Sequence, residues 1–196
     1  MKVLLTEATG TLGRRLVSAL SALGYDVRAL SRRAQTGDDV AWFRGDLRTG
    51  DGIEVAVAGA ETIVHAATLG GFAGGKARAR YLLVHPSRTD VAGTQRLVDA
   101  ARAASVTHIV YVSIVGVDRV RMSYDKHKLA AEEIVAVSGV PYTIVRASQF
   151  HALLDAMLRY LTRFPVAFVA REMLVQPIDT FDAAAAIVRL AGGSGC

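Results

Sequence analysis

Among 196 residues there is a single cysteine, Cys196, so no internal disulfide can form and no cluster of thiolates can hold zinc. No apolar run approaches the ~20 residues that a membrane-crossing helix needs, although 52% of the residues are hydrophobic. That apolar content must go into an interior. The first apolar stretch is too short for a secretory leader, which leads to the expectation of a cytoplasmic protein. Aromatic residues are scarce, at 7%, and are not interleaved with the arginines, which are dispersed along the chain. The net charge of +5 therefore reads as solvated surface, or as a basic cleft for a small anion, and not as a nucleic-acid face. No repeat at solenoid spacing is present, and the length suits one domain. The partners to expect are a small-molecule substrate, no nucleic acid and no membrane, in a monomer or homodimer.

What is present begins at the N-terminus, with MKVLLTEATGTLGRRLV. Val3–Leu5 form the short apolar run of a strand buried on both faces, and residues 6–13 interrupt it with small side chains and two glycines. Leu12, Leu16, Leu20 and Leu23 then recur at steps that place them on one helical face, and Gly24 stands where a C-terminal cap would be. A strand, a glycine turn and a helix leave backbone N–H groups pointing outward at the positive end of the helix dipole, which is a phosphate site. Gly10 lets the backbone approach a pyrophosphate, and Gly13 lets the helix lie close to the strand. The turn residues expected to hold the cofactor are Thr6, Thr9, Gly10, Thr11, Leu12 and Gly13.

The next elements follow in alternation. Tyr25–Leu30 read as a second strand, followed by Ser31, Arg32 and Arg33. In a dinucleotide fold an acid at this place would bond the ribose 2′-hydroxyl of NAD. Here Ser31 replaces the acid, and Arg32 offers a planar fork suited to the 2′-phosphate of NADP, so NADP is favoured over NAD. The alternative is that Arg32 and Arg33 open a solvated loop. Val40–Phe43 form a third strand, residues 52–58 a helix, and Thr62–Ala66 a fourth strand ending in HAAT. Residues 69–80 carry four glycines with Lys76, Arg78 and Arg80, and read as a loop over the site. Helical spacing returns over 90–104, and His108–Val112 and Tyr142–Val145 make strands five and six, each after a helix. The expected fold is α/β, a doubly wound parallel sheet (Rossmann fold) with helices on both faces.

Tyr124 and Lys128 lie four apart and share a helical face, so the ammonium can lie near the phenol and lower its pKa. A tyrosine of ordinary pKa is a poor base at neutral pH, and a fixed cation makes proton transfer practicable. A surface helix that happens to carry both residues is the alternative.

TEATGTLG resembles the TGATGxxG turn of the short-chain dehydrogenase/reductase superfamily, in its extended and atypical branches, with Glu7 in place of the first glycine. Ser113 with Gly116 matches the family's Ser-x-x-Gly, and Tyr124 with Lys128 its Tyr-x-x-x-Lys. The stretch SGVPYTIVRASQFH is similar to NmrA-like and isoflavone-reductase-like proteins, and the likeness continues through Val166–Val169 as a strand, QPID at 176–179 and a helix over 180–190. The resemblance implies that Ser113 holds the substrate oxygen, that Tyr124 donates and accepts the proton, and that Lys128 tunes it while reaching the nicotinamide ribose. It implies that Asp46, followed by Leu47, receives the adenine amino group, although Asp46 reads equally as a turn residue. Ala66 and Ala67 would pass beneath the cofactor, where bulk would block it. Arg146, Gln149, Phe150 and His151 would face substrate or nicotinamide, with a surface position at a helix start as the other reading of His151.

The function so implied is an NADP-dependent oxidoreductase that transfers a hydride to or from a small carbonyl, enone or alcohol. The alternatives are a non-catalytic NmrA-like redox sensor that binds dinucleotide, or an epimerase-like enzyme with bound NAD. Residues 1–196 are expected to form one NAD(P)-binding domain, with 147–196 contributing part of a substrate-binding region.

Overall fold

The computed structural model describes residues 1–37, 40–66, 87–119, 123–163, 166 and 176–193, at 87, 88, 123, 124, 157, 160 and 161 by the backbone alone. Six strands, β1 (Lys2–Leu5), β2 (Asp26–Ser31), β3 (Ala41–Arg44), β4 (Thr62–His65), β5 (His108–Ile114) and β6 (Tyr142–Ala147), form one parallel sheet. Their order is β3-β2-β1-β4-β5-β6. The direction of winding reverses between β1 and β4, which opens the crevice where ligands bind in such sheets. The expected fold class is the observed one.

Because successive side chains of a strand face opposite ways, each strand feeds two cores. Val3, Leu5, Val27, Ala29, Val64, Val110 and Val112 pack on one face against Leu12, Leu16 and Leu20 of α1 (Thr11–Ala22) and Ile187 and Val188 of the C-terminal helix Thr180–Ala191. Leu4, Leu30, Ile63, Ile109 and Tyr111 pack on the other, against α2 (Ile53–Val57), α3 (Ala92–Ala103) and α4 (Ser123–Ala136). This double demand is why the central strands are apolar at nearly every position. The helices α5 (His151–Leu161) and α6 (Thr180–Ala191) complete the described elements. Among the described residues no helix is long and apolar enough to cross a membrane.

Several boundaries differ from the sequence expectation. Leu23 is not on the buried face of α1: it is the C-cap residue, 65% exposed, because Gly24 turns into the left-handed region at φ 75° and ends the helix. β2 starts one residue late and takes in Ser31, and β3 is likewise shifted by one. The helix expected over 90–104 begins earlier, as a π-helical turn, Ser87–Val91, before α3 starts at Ala92. β5 and β6 each run two residues further toward the site. The glycine-rich stretch 69–80, Ala67, and residues 167–169 of the strand expected at 166–169 lie outside the described residues, and Val166 is in a bend.

Candidate dinucleotide and catalytic site

The turn between β1 and α1 sits at the edge of the crevice. Gly10 is the N-cap of α1 and carries no side chain to cap the helix, and no acidic residue occupies the first turn. The first amides of α1 are therefore left for an anion, which is the chemistry a pyrophosphate requires. Gly13 makes the turn possible: a Cβ there would lie 2.1 Å from the Glu7 carbonyl oxygen and 2.9 Å from Ala8 backbone atoms. Helix and turn are in contact at a distance that only glycine allows. Arg14 braces the loop by donating from Nε to the Thr9 carbonyl at 2.9 Å. Thr9 is half-buried, Thr11 is exposed, and the Leu12 side chain belongs to the core.

Glu7 stands in the left-handed region at φ 54°, so the chain keeps the conformation for which glycine is the usual residue. Its side chain folds over Gly10, with Cγ 3.1 Å from where a Cβ would be. Burial pushes the Glu7 carboxyl above its ordinary pKa, and the charge of Arg32 pulls the other way. Arg32 and Arg33 are exposed just past the end of β2, while Ser31 is buried and accepts from the Arg33 amide at 3.3 Å.

Asp46 serves the turn after β3. Its carboxylate receives the Arg48 amide at 2.9 Å and the Arg48 guanidinium in a fork, with Nη2 at 2.8 Å, and these bonds hold it below the usual carboxylate range. The Leu47 side chain is in the core, and its carbonyl accepts from Arg96 at 3.1 Å.

Across the crevice, the alternation of β4 and β5 points His65, Tyr111 and Ser113 to the side of α3 and α4. The Ser113 hydroxyl is buried and makes no hydrogen bond among the described residues. An orphaned buried hydroxyl needs an explanation, and a ligand oxygen supplies one. Lys128 is buried, and its ammonium donates to the Val112 carbonyl at 2.9 Å and to the Tyr111 hydroxyl at 3.2 Å. Burial lowers Lys128 to about 8, against the attraction of Asp90 and Glu132. Among the described side chains, the tyrosine that meets Lys128 is Tyr111, which is fully buried. Tyr124 lies one turn before Lys128 on α4; its side chain lies outside the described residues.

Sequence reading missed His65, Thr94, Asp90 and Tyr111. His65 bridges Thr6 Oγ1, at 2.9 Å from Nδ1, and Thr94 Oγ1, at 3.0 Å from Nε2. Thr6 Oγ1 also receives the Ala66 amide at 3.1 Å, tying the turn to the exit of β4. A polar residue inside the run TIVH was the available signal.

Arg146 does not stand free toward a ligand. Its guanidinium forks onto Glu132, at 2.7 and 3.1 Å, and lies 3.3 Å from Asp118, joining β6 to α4. Gln149 is exposed, Phe150 is half-buried and pairs with Ile178, and His151 is the exposed first residue of α5.

A family model described as NAD(P)H-binding matches residues 8–155. The chain belongs to this NAD(P)H-binding family. It is 31% identical over 196 aligned positions to the ceramide reductase of Caulobacter vibrioides, covering 95% of this chain and 59% of that one. Among solved structures, a short-chain dehydrogenase/reductase superfamily protein from Agrobacterium tumefaciens with bound NAD superposes with a TM-score of 0.74 at 22% identity, covering 99% of this chain and 74% of that one. The NADPH-dependent quinone oxidoreductase QOR2 from Escherichia coli superposes with a TM-score of 0.77 at 20% identity, over 98% and 65%. The expected NAD(P)-binding family is borne out by the family model, and the fold expected from the short-chain dehydrogenase/reductase resemblance by the superpositions. The chain spans between a third and three-fifths of the curated relatives first matched, at 34, 46 and 59%.

Proposed function

We propose that this NAD(P)H-binding chain is the core of an oxidoreductase that reduces a carbonyl or enone, or oxidises the matching alcohol, with NADP as the favoured cofactor. The observation that carries the reading is at the end of β5, where the Lys128 ammonium is fixed on the Val112 carbonyl and the hydroxyl of the next residue, Ser113, has no partner among the described residues. Bound at the crevice, the nicotinamide supplies or takes up the hydride. The open amides at the start of α1, with Thr6, Thr9, Gly10 and Gly13, hold the pyrophosphate. Ser113 donates to the substrate oxygen. Tyr124 gives that oxygen its proton as the carbonyl carbon gains the hydride, and removes it in the reverse direction. Lys128 is cationic below about pH 8 and stabilises the phenolate form of Tyr124.

Arg32, exposed at the end of β2, reads the 2′-phosphate, with Arg33 beside it. Residues 1–196 act as one domain, in which 147–196 supply part of the substrate wall. The name of the ceramide reductase supports a reductase over an epimerase. The second reading, a dinucleotide-sensing module without chemistry in the cytoplasm, is favoured by Glu7: a half-buried carboxylate at the phosphate turn works against tight cofactor binding.

The test is Tyr124→Phe against a panel of carbonyl substrates with NADPH. Turnover should fall by about 10²-fold or more while NADPH affinity stays within a few-fold, as expected for loss of a general acid. Retention of most of kcat would sink the assignment of Tyr124, and absence of turnover across the panel with intact NADPH binding would favour the sensing module.

A further inference from the structure

The bonds around His65 have only one consistent direction. The Asp90 carbonyl is an acceptor, and Thr94 Oγ1 lies 2.5 Å from it, so the Thr94 proton is committed there. Thr94 can then only accept from His65, which puts the His65 proton on Nε2. His65 is 1% exposed and lies close enough to Lys128 to feel its charge; burial first and that charge second take the ring down to about 3, so it is neutral. A neutral ring with Nε2–H has a bare Nδ1, which must accept from Thr6 Oγ1, and Thr6 Oγ1 in turn accepts the Ala66 amide. The chain runs from the Ala66 amide through Thr6, His65 and Thr94 to the Asp90 carbonyl.

Both ends adjoin groups of the proposed site. Thr6 opens the turn that receives the dinucleotide. Asp90 is buried, and its carboxylate attracts the Lys128 ammonium. The His65 ring also lies 5.3 Å from the Tyr111 ring, whose hydroxyl holds Lys128. The groups that face His65 are therefore Thr6 from the turn, Thr94 from α3, Asp90 from the π-helical turn, Tyr111 from β5 and Lys128 from α4.

We propose that His65 is a positioning residue: as a fixed Nε2–H tautomer it is a strut that locks the dinucleotide turn to the Asp90–Lys128 cluster, so that cofactor affinity depends on Thr94, a residue remote from the turn. This rests on the dinucleotide being held at the β1–α1 turn. Among the described residues Thr94 hydrogen-bonds to His65 and Asp90 and to none of the turn, so the hydrogen bonds that link it to the turn run through His65.

Two measurements decide it. In ¹⁵N-labelled free protein, His65 should show a neutral Nε2–H ring that does not titrate between about pH 5 and 9, and its Nδ1 resonance should move when NADPH is added. An Nδ1–H ring, a ring that titrates in that range, or an Nδ1 resonance unmoved by bound NADPH overturns the strut. By calorimetry, Thr94→Val should weaken NADPH about five- to tenfold and Thr94→Ser should restore it, as for one lost hydrogen bond. Wild-type affinity in a folded Thr94→Val protein overturns the proposal. The tautomer is read without ligand, so it decides the chain even if Thr94→Val does not fold, and absence of NADPH binding to the wild type would count against the reading of the turn.

Discussion

The two sides of the crevice are built on opposite plans. On the β1–β3 side, the groups offered to a ligand are backbone amides at the start of α1 and the exposed guanidinium of Arg32. On the β4–β6 side, His65, Asp90, Lys128 and Ser113 are all nearly inaccessible. A doubly charged diphosphate can be held by amides that need no particular side chain and by a solvated cation. Proton transfer needs groups whose charge is set by burial, and burial demands partners for each. The first side depends on close backbone approach, the second on a connected polar network, and substitutions should separate them.

The strongest break is expected on the turn. Gly13→Ala forces a Cβ to 2.1 Å from the Glu7 carbonyl, which backbone atoms cannot avoid without opening the turn. It should cost more than about 3 kcal/mol of stability or abolish NADPH binding, read by denaturant unfolding and calorimetry. A Gly13→Ala protein with wild-type stability and affinity would show that turn and helix are not in contact.

Arg32→Ala should weaken NADPH far more than NADH, by about 1.5 to 3 kcal/mol for a lost charge-assisted bond, measured in parallel titrations. Equal losses would remove Arg32 from the 2′-phosphate and take the preference for NADP with it.

A pH series sharpens the contrast from the buried side. The folded His65 pKa, about 3, is below the ordinary 6.5, so between these values the unfolded chain holds a proton that the folded one does not. The stability contribution is complete above about 6.5 and is lost as pH falls toward 3. Relative to His65→Gln, the wild type should lose about 1.4 kcal/mol per pH unit across that window. Equal slopes would mean that His65 is not buried in neutral form.

The smallest effect is expected at Glu7. Replacing it by glycine removes a left-handed side chain and should add roughly 1 kcal/mol of stability, with tighter NADPH binding. The raised carboxyl pKa also means that the wild type gains relative to Glu7→Gly as pH falls and loses that gain as pH rises through the folded value. Weaker NADPH binding in Glu7→Gly would show that the carboxylate helps to hold the ligand.

The sequence by itself determined the sheet, because strands that feed two cores are apolar throughout and helices between them carry one apolar stripe. It also determined the turn, since Gly10 and Gly13 are constraints between near neighbours in the chain. Tertiary structure alone decided the state of the polar groups. Thr6 and His65 are 59 residues apart, and His65 and Thr94 another 29, so no local pattern announces their bonds. Arg146 looked like a ligand group until Glu132, 14 residues earlier, took its guanidinium. Tyr-x-x-x-Lys placed Lys128 one turn after Tyr124, but that its ammonium also meets Tyr111 and Val112 is not written in that spacing. Short-range geometry is written in spacing, whereas burial and charge depend on which distant residues the fold brings within reach, and that is fixed only when the sheet and its helices have packed.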